Sequence, residues 1–122
     1  MARVRSGLAR ACGVASVGGN NGLDLSDSNL SLADFETGKP GSPLIGANFT
    51  NADLKGNFLV GIDFTNAFLN NANLAGANLT AANFSGAVLT GADLTGANLG
   101  GANLSGTIGL GYVKRGPHDP AL

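Results

Sequence analysis

The chain predicts an all-β solenoid, a fold in which short extended steps turn a corner at a fixed interval. Three observations predict it: a tandem period of five residues, a Leu or Phe at the centre of each period, and glycine or asparagine at its end. From Ala47 the units read ANFTN, ADLKG, NFLVG, IDFTN, AFLNN, ANLAG, ANLTA, ANFSG, AVLTG, ADLTG, ANLGG and ANLSG. SPLIG precedes them with Leu44 at its centre, and LDLSD, SNLSL and ADFET place Leu25, Leu30 and Phe35 in the same pattern, making sixteen units in all. Gly38, Lys39, Pro40 and Gly41 interrupt the register between the third and fourth.

Each position has a physical reason. A period of five fits neither a helix nor a flat strand. Alternation along each extended step sends the central Leu or Phe inward together with the residue two places before it. That second residue is usually Ala, small enough for a crowded corner. The fifth place is mostly Gly or Asn, which tolerate the positive φ of tight turns. Asn, Asp, Ser and Thr take the outward places.

The pattern Ala-(Asp/Asn)-(Leu/Phe)-x-x, as in Ala52-Asp53-Leu54-Lys55-Gly56 and Ala97-Asn98-Leu99-Gly100-Gly101, resembles the pentapeptide-repeat family over about two-thirds of the chain. The resemblance implies a right-handed quadrilateral parallel β-helix with four units per coil, hence about four coils. At a strand spacing of about 4.8 Å the body is roughly 19 Å tall. Residues twenty apart then stack: Leu44, Phe64, Phe84 and Leu104 form one interior column, and Leu59, Leu79 and Leu99 another.

The organisation follows from the repeat. Residues 1–22 form an N-terminal cap or tail, 23–106 the β-helix with its insertion at 38–41, and 107–122 a C-terminal cap and tail. Val4, Leu8, Cys12 and Ala15 recur at near-helical spacing, which predicts a short helical cap over an open solenoid end. The same stretch is acid-free and carries Arg3, Arg5 and Arg10, which also fits a targeting remnant. At the other end Ile108, Leu110 and Tyr112 alternate as in a strand-like cap.

Composition narrows the function. Formal net charge is −1 and charged residues are 12%, which leaves no global signal for nucleic acid or membrane. No apolar run reaches the roughly 18–20 residues of a membrane-spanning helix. The lone Cys12 forms no internal disulfide, and His118, the single histidine, lies in the tail. There is no Cys/His metal pattern, and the glycine spacing of Gly86 and Gly91 lacks the Lys of a phosphate loop. No catalytic, cofactor or metal site is expected.

The outward apolar residues remain. Phe58, Phe68 and Val88 stand where Asn or Asp is usual, Val60 lies beside Phe58, and Lys39 sits in the insertion. The twenty-residue rule stacks Phe68 and Val88 on one face, flanked by Asn48, with Phe58 two faces away. These five are the candidate partner-binding residues. The function expected is therefore a non-catalytic structural or protein-interaction module presenting rigid faces to a protein partner. The alternative follows from family members that mimic duplex DNA and bind type II topoisomerases. Residues 23–106 lean that way with seven acids against two lysines, a net −5. A DNA duplex carries about eleven charges over the same height. Direct nucleic-acid binding and membrane insertion are not expected. End-to-end pairing with a second copy is open to an incompletely capped solenoid, and bacterial cytoplasm and a plastid compartment (chloroplast or thylakoid lumen) both suit the chain.

Overall fold

The computed structural model describes residues 24–30 and 44–117. The predicted N-terminal cap, the insertion and the tail beyond Pro117 lie outside the described residues. Within them the chain is a coil of single-residue parallel bridges. Asn48 pairs with Phe68, Asp53 with Asn73, Phe58 with Asn78 and Asp63 with Asn83, each twenty residues apart. Four sides of five residues therefore make one turn. The coil rises from its N-terminal end, the foot, toward its C-terminal end, the top.

The side-chain placement follows the alternation rule. Ala47 and Phe49, Ala52 and Leu54, and Ala72 and Leu74 are fully or almost fully buried. Phe64 packs edge-on against Phe49 at 5.3 Å between ring centroids and stacks on Phe84 at 5.4 Å. One rung of hydrogen bonds shows how the coils join. Leu54 N–H donates up to Asn73 O (2.7 Å), Gly56 N–H to Ala75 O (2.8 Å), and Asn73 N–H down to Ala52 O (2.9 Å). A further bond closes each corner, as from Ala52 N–H to Phe49 O at 2.9 Å. Every described fifth position has φ between 58° and 76°, including Asn51, Asn66, Asn71 and Ala81. Such angles suit glycine and asparagine far better than alanine.

Two places depart from twenty. Asp24 bridges Asn48 and Asn29 bridges Asp53 at a separation of twenty-four, so four surplus residues lie between the first coil and the next. At that seam Asn57 occupies a corner that Ala or Ile holds in every other unit from Ala47 to Ala102. It is 5% exposed, and its Nδ2 donates to Leu30 O at 2.8 Å. The hydrogen bond offsets the burial of an amide that would otherwise be penalised.

At the upper end Ile108 bridges Val88, and Lys114 bridges Asp93 at a separation of twenty-one. In place of the expected alternating strand, a 3-10 turn at Leu110–Tyr112 takes up the extra residue. It begins at Gly109, whose φ is 86° and whose missing Cβ would strike the backbone of Thr90. Leu110 and Val113 pack on the core, but Ala97, Leu99, Ala102 and Leu104 remain only partly buried.

Candidate functional site

The bridges define four outward columns. Face one carries Asp24, Asn48, Phe68, Val88 and Ile108; face two carries Asn29, Asp53, Asn73, Asp93 and Lys114. Face three carries Phe58, Asn78 and Asn98, and face four Asp63, Asn83 and Asn103.

On most rungs the Asn or Asp of these columns has a structural task. Its Oδ1 accepts the N–H two residues on: Asn48 from Thr50, Asp53 from Lys55, Asn73 from Ala75, Asn83 from Ser85, Asp93 from Thr95. This Asx bond stiffens each side before its corner. Phe68, Val88 and Ile108 have no acceptor and cannot make it. Three successive rungs of face one thus give up a local hydrogen bond and place an apolar side chain outward instead. Phe68 is 48% exposed and Ile108 57%, while Val88 between them is half-buried.

Sequence reasoning placed Phe68 and Val88 together and Phe58 two faces away, and the columns have that arrangement. Phe58 is 63% exposed and has Asn78 and Asn98 above it in its column, with half-buried Val60 beside it. Lys39 lies outside the described residues. Ile108 was missed as part of the stripe because it follows the last recognisable unit. Its signal was its distance of twenty from Val88. Tyr112, also strongly exposed, stands at the next corner, where its carbonyl accepts Gly91 N–H at 3.2 Å.

Electrostatically, the foot of face one is acidic. Asp24 Oδ1 accepts from the hydroxyl and the N–H of Ser26, which hold the carboxyl below its usual range. Asp27, at the corner beside it, accepts from Asn51 Nδ2 at 3.0 Å. On face two, Asp53, Asn73 and Asp93 stack under Lys114, whose Nζ stands 4.0 Å from Asp93 Oδ2. Burial pushes the Asp93 carboxyl up, but the Thr95 hydroxyl and N–H, with Lys114 and Lys55, outweigh it and hold the group low. Among the described residues no cluster of His, Cys, Asp or Glu could hold a metal ion, and no helix is long and apolar enough to cross a membrane.

The model for pentapeptide repeats matches residues 41–71 and 72–108, in eight copies. The chain belongs to the pentapeptide-repeat family. Members of this family form right-handed quadrilateral β-helices, in keeping with the four-sided coil. Among solved structures, the chain is similar to a pentapeptide repeat protein from the Arabidopsis thaliana thylakoid lumen. The two are 31% identical over 74% of this chain and 63% of that one, with a TM-score of 0.46. This chain thus spans less than two-thirds of the plant protein's length. It is also similar to a pentapeptide repeat protein from the cyanobacterium Cyanothece 51142, at 24% identity over 79% and 86% of the two chains and a TM-score of 0.39. A plasmid-mediated fluoroquinolone resistance protein matches at 22% identity over 61% and 39%, with a TM-score of 0.26. No curated protein matches.

Proposed function

We propose that this chain is a non-catalytic interaction module that docks a protein partner on face one. The observation that carries this reading is the unbroken column of Phe68, Val88 and Ile108, where three rungs forgo the Asx bond made by their neighbours. Apolar side chains on a surface need no explanation singly. Three in register, each replacing a stabilising residue, do. Behind them Leu69 and Leu89 are fully buried, so the stripe stands on a packed wall rather than a loop. Phe58 and Val60 on face three form a second, smaller contact.

The test is affinity capture from the native source with the purified chain and with Phe68→Asn as bait. The substitution restores the family's usual residue, so it removes the apolar anchor without threatening the fold. A reproducible partner that Phe68→Asn loses supports the reading. A partner retained equally by both baits, or no partner at all, removes it.

Mimicry of duplex DNA toward a type II topoisomerase is the weaker reading. Lys114 offsets Asp93 on face two, the described column with two carboxylates, and Asn73 separates Asp93 from Asp53. A gyrase supercoiling assay unaffected by micromolar protein would close it. End-to-end pairing with a second copy has its own support at the upper end. Among the described residues, the N–H groups of Leu99, Gly101, Leu104 and Gly106 meet no carbonyl above them, unlike their counterparts one coil below. Sedimentation velocity across a hundredfold concentration range tests it. A bacterial cytoplasm or a plastid compartment (chloroplast or thylakoid lumen) suits an interaction module equally.

A further inference from the structure

We infer that the occupant of face one is a single amphipathic α-helix of a partner protein, with basic residues at the end that lies over Asp24. The inference rests on the interaction-module reading and gives its partner a chemistry.

Width comes first. Each side of the coil has about three extended residues between corners, roughly 10 Å at 3.3 Å each. That matches the 10–12 Å diameter of one α-helix with its side chains.

Pitch comes second. Successive rungs stand about 4.8 Å apart, and an α-helix advances about 5.4 Å per turn. From Phe68 to Ile108 the two differ by only about 1 Å in total. Helix residues at positions i, i+4 and i+7 therefore meet Phe68, Val88 and Ile108 in turn.

Charge settles the polarity. Continuing down the same column, Asn48 and then Asp24 follow Phe68, with Asp27 at the neighbouring corner. Asp24 and Asp27 are both exposed. At the upper end the adjoining face carries Lys114, 4.0 Å from Asp93, and then Arg115, and both cations are exposed. A helix with Lys or Arg about two turns before its first apolar anchor meets acid at the foot and avoids the cations at the top. The reverse orientation places like charges together.

The test uses a fluorescein-labelled 18-residue peptide with Arg at its first and fifth positions and Leu at its eighth, twelfth and fifteenth. Its partner is a scramble of the same composition. Anisotropy titrations against the intact chain are expected to show saturable binding that the scramble lacks by roughly tenfold. Phe68→Asn weakens it by about the same factor. Asp24→Asn, which keeps the Ser26 bond, weakens it about threefold and flattens its salt dependence. Equal binding of peptide and scramble overturns the inference, as does indifference to Phe68→Asn. So does a self-association abolished by Phe68→Asn, which makes a second copy the occupant. Faster tryptic cutting after Arg3, Arg5 or Arg10 in Phe68→Asn also overturns it, because the chain's own leading segment then covers the face. If affinity capture yields a partner lost with Phe68→Asn while the peptide fails to bind, the helix falls and the interaction module stands.

Discussion

Residues 77–81 and 102–106 both begin Ala-Asn-Leu and take up the same local shape, yet they have different environments. In the middle of the coil Ala77 and Leu79 are buried to within 1%. Near the top Ala102 and Leu104 are only partly covered. Leu79 N–H donates to Asn98 O above it, whereas Leu104 N–H has no carbonyl above among the described residues. Burial in this fold is a property of the neighbouring coils, not of the pentapeptide. A unit contributes its inward side chain only when the units twenty residues before and after it are in place.

Substitutions that differ only in position test this comparison. The largest effect is expected at the two leucines. Leu79→Ala should cost about 3 kcal/mol, within the usual range for a fully buried leucine, and Leu104→Ala about half of that. Urea unfolding midpoints measure both, and equal shifts would break the comparison. Glycine at the fifth position gives the next effect. Gly91→Ala forces Cβ onto Asn71 Oδ1 at φ 76°, whereas Gly101→Ala, at φ 70°, meets only ordinary contacts with Ala81. The second should cost about 1–2 kcal/mol from backbone strain alone and the first about 1 kcal/mol more. Replacing Asn71 with Gly in the Gly91→Ala background should recover that difference in thermal melts.

A smaller effect, of opposite sign, is expected at the stripe. Phe68→Asn restores the Asx bond and should raise stability by about 0.5–1 kcal/mol. A melting temperature that rises while partner binding falls would show that face one gives up stability for recognition. The smallest effect lies on face two, where Lys114 meets Asp93. The folded-state carboxyl is held low, so its contribution is present above the unfolded value, about 3.9, and is lost as pH falls through the folded one. The advantage of the parent over Asp93→Asn in thermal melts should therefore be present at about pH 6 and gone near pH 2.

Much of this was legible beforehand because the repeat is a local code. The inward Leu44, Phe64 and Phe84 and the outward Phe58 and Phe68 follow from alternation, which a five-residue window contains. The four-residue surplus was legible too, as a break in register. Asn57 left a signal, a polar residue in an alanine place, but its partner Leu30 lies across the insertion and could not be read from the unit itself. The Asx bonds were hidden for another reason. Asn and Asp looked like outward filler until the backbone brought each Oδ1 to the N–H two residues on, and only then did the apolar exceptions acquire a meaning.

The sequence by itself determined the period, the inward and outward faces, and the tolerance of each corner for positive φ, because these depend on contacts within one or two units. Tertiary structure alone decided which of the Ala-Asn-Leu units are buried and that Ile108 extends the stripe of Phe68 and Val88. It also decided that a 3-10 turn, rather than a strand, brings Lys114 over Asp93. Those outcomes depend on side chains twenty or more residues apart, and only the stacked coil sets their distances.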